Sequence, residues 1–257
     1  MRPPPILETR DLTIRFGGQL AVNAVSCAFH AGTLTAIVGP NGAGKTTYFN
    51  LISGQLRATA GEVLLRGARI TRLPAPLRAR RGLGRAFQLT NLFPDLTVLE
   101  NVRLAVQARA GVGLHFLGMA AARTDLAERA LFYLDRVRLA HRAGSAAAAL
   151  SHGDQRKLEV AILLAMQPEI FMFDEPTAGM SVDEVPVVLD LIEAIKQEGG
   201  KTILLVEHKM EVVRRLADRV IVLHNGTLVA DGEPAEVVAS PIVQEAYLGV
   251  RPERADA

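Results

Sequence analysis

The chain has 257 residues, 49% of them hydrophobic and 22% charged, which excludes a disordered or fibrous protein and allows one large domain or two small ones. Its 29 basic and 27 acidic residues leave a formal charge of +2, so nothing draws the whole surface to nucleic acid or anionic lipid, and any anion site is local. Cys27 is the single cysteine, which rules out an internal disulfide and fits a reducing compartment. No run reaches the about 18 to 20 apolar residues that span a bilayer. The start, Met1-Arg2-Pro3-Pro4-Pro5, has no apolar run and is unlike a secretory signal. The expectation is a soluble chain, or one held at a membrane by a partner.

In chain order, residues 6–14 and 21–29 read as strands around a Gly17-Gly18 turn. Residues 34–38 form a short apolar run that ends in a glycine-rich loop, and a helix is expected over 45–53. Residues 61–66 and 84–87 read as further strands. From 97 to about 139 the pattern is helical, interrupted by a glycine-rich stretch at 111–118. A helix is predicted over 151–166, ended by Pro168, and then a strand over 170–173 whose apolar run suits burial on both faces. A helix over 182–197, a strand over 202–206 and a helix over 210–216 follow. Asn225-Gly226 joins strands 219–223 and 227–230 as a hairpin. Strands alternating with helices predict an α/β fold with a largely parallel sheet. An antiparallel β layer precedes it, and a helical stretch of about 89–160 is inserted in it.

Gly39-Pro40-Asn41-Gly42-Ala43-Gly44-Lys45-Thr46 fits the phosphate-loop pattern G-x-x-x-x-G-K-[ST] at every fixed position. The glycines let backbone N–H groups converge on phosphate oxygens. Lys45 supplies charge to the β- and γ-phosphates, Thr46 supplies a hydroxyl to Mg²⁺, and the helix that follows adds its N-terminal dipole; Thr47 is next in that helix. Asp174 and Glu175 directly follow the buried strand 170–173, at the strand end that meets the ligand crevice. Asp174 suits Mg²⁺, and Glu175 suits polarising an attacking water.

Leu150-Ser151-His152-Gly153-Asp154-Gln155 resembles the signature loop of ABC ATPases, usually written LSGGQ, and opens a helix. The resemblance covers nearly the whole chain. It implies that Ser151 and Gly153 of one subunit close over the γ-phosphate held by another. Gln88 resembles the Q-loop glutamine that senses Mg²⁺ and the attacking water. His208 resembles the switch histidine, Phe16 the aromatic that stacks on adenine, and residues 176–183 the D-loop. His152 and Asp154 depart from the usual signature, and Ser181 stands where aspartate is common in the D-loop. The implied division is a nucleotide-binding core over 1–88 and 161–232, a helical subdomain over 89–160 and an appendage over 233–257.

LSHGDQRKLE, NLFPDLTVLENV, PTAGMS, VEHKM and the tail EAYLG are similar to the ATPases of branched-chain and hydrophobic amino-acid importers. Urea importers and the lipopolysaccharide-export ATPase share some of these features. The family resemblance implies ATP and Mg²⁺ as ligands, a second ATPase subunit that is identical or a relative, integral-membrane permease subunits docking around residues 89–100, an indirect solute-binding protein, and a peripheral place on the cytoplasmic face of the inner membrane. An ABC-type ATPase acting on DNA or the ribosome is disfavoured by the near-neutral charge and the absence of coiled-coil arms. A nucleotide-gated module with little turnover is disfavoured by Glu175 and His208.

Overall fold

A computed structural model describes residues 4–86, 92–111, 119–241 and 243. Its centre is a six-stranded sheet in the order β10-β9-β3-β8-β7-β6. These strands are β3 (Leu34–Val38), β6 (Leu83–Ala86), β7 (Ile170–Asp174), β8 (Thr202–Val206), β9 (Arg219–His224) and β10 (Thr227–Gly232). All pair in parallel except β10, which the Asn225-Gly226 turn folds back onto β9. Every residue of β3, β7 and β8 is buried, the result expected of strands covered on both faces.

One face of this sheet packs on α1 (Lys45–Ser53) and on an antiparallel sheet in the order β2-β1-β4-β5. Its members are β1 (Leu7–Phe16), β2 (Gln19–Phe29), β4 (Ala60–Leu65) and β5 (Ala68–Arg69). Leu12, Phe29, Ile37, Phe49 and Met172 fill the layer between. On the other face lie α3 (Val98–Ala110), α4 (Met119–Arg136), α5 (His152–Ala165), α6 (Val185–Gln197) and α7 (Met210–Leu216). Val102, Leu134, Leu158, Phe171, Val188 and Leu205 close that second core. The short helices α2 (Ala75–Arg80) and α8 (Pro234–Ala239) complete the described chain.

The α/β expectation holds, with local corrections. The first hairpin runs on to Phe16 and resumes at Gln19, so β1 ends two residues beyond the apolar pattern. Helix α6 starts at Val185 rather than at residue 182. Residues 181–184 form a turn instead, in which Glu184 Oε2 accepts from the Ser181 N–H at 3.2 Å and from its hydroxyl at 3.0 Å. The strand expected over 84–87 begins one residue earlier, and Phe87 lies outside the described residues.

Arg78 of α2 is the largest fully buried side chain described. It donates to the carbonyls of Leu51 and Ile52 at 2.7 and 2.6 Å, and to those of Thr71 and Leu73 at 2.7 and 2.8 Å. Leu51 and Ile52 lie in the last turn of α1, whose carbonyls have no partner within the helix. A buried guanidinium therefore finishes the helix that begins at the phosphate loop.

Candidate nucleotide site

Because β8 lies between β3 and β7, the carboxyl ends of three neighbouring strands meet at one edge of the sheet. The glycine-rich loop leaves β3, Asp174 and Glu175 end β7, and Glu207 and His208 follow β8. The loop enters α1 at Gly44, in the left-handed region at φ 94° and so close to the Ala21 carbonyl oxygen that a Cβ would come within 2.4 Å of it. Only glycine fits there. No side chain caps α1, so its first N–H groups are left for an anion.

A cavity of about 480 Å³ opens over this turn, lined by Phe16, Asn41, Gly42, Ala43, Gly44, Lys45, Thr46, Thr47 and Glu175. Phe16 stands half-exposed at its rim, and Gly39 belongs to the loop but not to the lining. Lys45 is buried and donates through Nζ to the carbonyls of Gly39 and Pro40 at 2.7 and 2.9 Å. Burial holds its pKa below the ordinary lysine value, and the nearby negative charge of Glu175 and Asp174 works against that fall.

Asp174 is buried and pairs through Oδ2 with Arg85 Nη2 at 2.8 Å, while Oδ1 is buried with no hydrogen-bond partner among the described residues. Burial raises the Asp174 carboxyl above its usual range, against the pull of Arg85. Glu175 takes a left-handed φ of 48°, pinned by its N–H donating to the Val206 carbonyl at 3.0 Å. A non-glycine residue held in that region carries strain, which gathers at functional positions. Its Oε1 lies 3.8 Å from His208 Nδ1. Glu207 is fully buried; its Oε1 accepts from the Thr177 hydroxyl at 2.8 Å, and its Oε2 from the N–H groups of His208 and Lys209 at 2.9 and 3.1 Å. One carboxylate thus ties the turn after β7 to the turn after β8.

Ser151 and Gly153 are not among the residues lining this cavity. Ser151 caps α5, its hydroxyl accepting from the Asp154 N–H at 3.2 Å. Gly153 lies so close to Glu184 that a Cβ would stand 2.0 Å from Oε1. The Ser151 hydroxyl also lies 3.5 Å from that oxygen. The predicted set therefore falls into two groups, and Gln88 lies outside the described residues.

Residues 22–178 match the family model described as ABC transporter, and residues 227–253 match that of the branched-chain amino acid ATP-binding cassette transporter. The chain belongs to the ABC transporter ATPase family. It is an ATP-binding and ATP-hydrolysing transporter subunit, as the opening resemblance implied. It is 39% identical over 251 residues to the high-affinity branched-chain amino acid transport ATP-binding protein LivG of Escherichia coli, covering 95% of this chain and 98% of LivG. It is 38% identical to BraF of Pseudomonas aeruginosa, which carries the same description, with the same coverage. A nucleotide-free ATP-binding cassette from an ABC transporter superposes with a TM-score of 0.82 at 28% identity, over 95% of this chain and 99% of that one. A cassette in its ADP conformation does so with a TM-score of 0.80 at 29% identity and the same coverage.

Three residues at this ABC site escape sequence reasoning. Arg85 and Glu207 are charged groups at the ends of strands, where side chains are ordinarily taken as solvated. Glu184 had a legible signal, since Ser181-x-x-Glu184 has the spacing of a capping box.

Proposed function

We propose that this ATPase drives uptake of branched-chain or other hydrophobic amino acids through a separate integral-membrane permease. It works on the cytoplasmic face of the inner membrane, and a solute-binding protein delivers the cargo. The observation that carries this reading is similarity to LivG and BraF along nearly the whole chain, with a subfamily match that continues through residues 227–253. Among the described residues no helix is long and apolar enough to cross a membrane, which supports a separate permease.

In this reading Lys45 and the loop N–H groups hold the β- and γ-phosphates of ATP, and Phe16 takes the adenine. Thr46 and Asp174 hold Mg²⁺, which supplies charge neutralisation at the phosphates. The buried, unpartnered Oδ1 of Asp174 fits that role, since a carboxylate oxygen without a hydrogen bond is costly unless a cation meets it. Glu175 orients and deprotonates the attacking water, and His208 beside it contacts the γ-phosphate. Gln88 is assigned to the same step by its place in the sequence. Ser151 and Gly153 complete the site of a second subunit, which makes the working unit a head-to-tail dimer.

The core comprises 1–88 and 161–232, the helical subdomain 89–160 and the appendage 233–257. An apolar groove of about 320 Å³ between them, with Leu83, Ala86, Leu92, Ile162 and Met166 in its lining, supports permease docking beside residues 89–100.

Two measurements test the proposal. Light scattering of Glu175→Gln is expected to show a dimer with Mg-ATP and a monomer with Mg-ADP; a monomer in both removes the sandwich site from the isolated chain. Native cells lacking the chain are expected to lose uptake of labelled leucine, isoleucine and valine while keeping urea uptake. Retained leucine uptake rejects the cargo assignment.

A further inference from the structure

We infer that Arg85 is a positioning residue that presents a single oxygen of Asp174 to the metal ion of the bound nucleotide; this rests on reading Asp174 as a holder of Mg²⁺. The two carboxylate oxygens of Asp174 are used differently. Oδ2 accepts from Arg85 at 2.8 Å, and the two side chains of that pair are 7% and 0% exposed. Oδ1 is equally buried and has no hydrogen-bond partner among the described residues. An ion pair of this kind adds little stability, since well-packed apolar residues commonly replace such pairs at no loss. Its use is in orientation. A carboxylate gripped by one oxygen cannot turn about its terminal torsion, so the other oxygen is the one left free for a cation.

The grip is itself fixed. Arg85 Nη1 donates to Asn50 Oδ1 at 2.6 Å and to the Ser53 hydroxyl at 2.8 Å, and the guanidinium lies over the Phe49 ring at 5.0 Å from its centre. Asn50, Ser53 and Phe49 all belong to α1, the helix whose first turn carries Lys45 and Thr46. Arg85 therefore sets the β7 carboxylate relative to the helix that bears the other proposed metal ligand. Its Nε is buried without a partner among the described residues, so the fork is placed for Asn50, Ser53 and Asp174 at the expense of that donor. A lysine offers a point charge and cannot span these partners in one plane.

The test uses the purified full chain with Arg85→Met and Arg85→Lys. Affinity for a fluorescent ATP analogue is measured in EDTA and with Mg²⁺, alongside Mg-ATP turnover and thermal unfolding. The methionine variant is expected to keep its affinity in EDTA within about twofold. The gain in affinity on adding Mg²⁺ should shrink by about tenfold, the effect typical of losing a group that orients a metal ligand, and turnover should fall with it. Lysine should recover part of both. An unchanged Mg²⁺ gain in the methionine variant overturns the inference. So does an equal loss of affinity in EDTA, or a chain that fails to fold even with lysine, because each makes Arg85 a structural requirement. If the unaltered protein shows no Mg²⁺ gain, the assignment of Asp174 to the metal fails first, and the inference goes with it.

Discussion

The helix starts of α1 and α5 are both offered to phosphate in the proposed mechanism, and they are built in opposite ways. At α1 the cap is a left-handed glycine wedged against the backbone of residue 21, no side chain takes the free N–H groups, and Lys45 is buried beside them. At α5 the cap is the exposed Ser151, whose hydroxyl already accepts from Asp154, and a carboxylate of the same chain, Glu184, lies against Gly153. An anion site that is uncapped and backed by a buried cation is finished before ligand arrives. One that is exposed, capped from within and crowded by a negative charge needs another surface to complete it. The difference teaches how the proposed mechanism divides its work, with nucleotide held by one subunit and committed to hydrolysis only when a second arrives.

The largest expected effect falls on the finished half. Glu175→Gln keeps the size and the left-handed backbone of the residue but removes the proposed base. Turnover should fall by about 10³-fold, within the range a positioned general base supplies, while ATP binding in EDTA stays level. A quench of binding as deep as that of turnover would mean that Glu175 shapes the cavity rather than the chemistry.

Gly153→Ala probes the unfinished half. Its Cβ would fall 2.0 Å from Glu184 Oε1, so the Glu184 carboxylate, the end of a flexible side chain, has to swing aside and give up its contacts with Ser181 and Ser151. A misplacement of about 1 Å at a reacting site can cost about 10²-fold. Turnover of the assembled dimer should drop by that factor, with nucleotide binding to the monomer untouched. Adding Glu184→Ala removes the obstacle and should restore most of the loss, a coupling that neighbours show and independent sites do not. If Gly153→Ala weakened binding by the monomer, the two halves would not be separable.

The finished half was also the legible half. Its glycines and lysine form a contiguous pattern, and its acids follow an apolar run that only a doubly covered strand needs, so local rules reach them. The short helix α2 was missed because six residues are too few to show a period. Its buried Arg78 is intelligible only after the fold has brought the α1 carbonyls around it. Arg85 hides in the same way, since its partners Asn50 and Asp174 are 35 and 89 residues distant in sequence. Helix α6 starts at Val185, three residues after the expected 182, and Val182 itself is 88% exposed. The Ser181-x-x-Glu184 turn ends the helix instead.

That turn yields the smallest expected effect and the finest test of the comparison. Glu184 makes two kinds of contact through one carboxylate. Oε2 accepts from the Ser181 backbone and hydroxyl, and Oε1 lies beside Ser151 and Gly153. The first braces the turn before α6, and losing it by Glu184→Ala should cost about 1 kcal/mol. In a chain of this size that is a fall of about 2 to 4 °C in the unfolding midpoint. The second places negative charge where the partner's γ-phosphate is proposed to arrive, so removing it should favour ATP-driven closure. Measured on the Glu175→Gln background, Glu184→Ala should therefore lower the melting temperature and at the same time lower the ATP concentration at which the dimer forms. If stability and dimerisation fall together, Glu184 braces its turn and nothing more, and the negative charge at α5 plays no part in keeping that half unfinished.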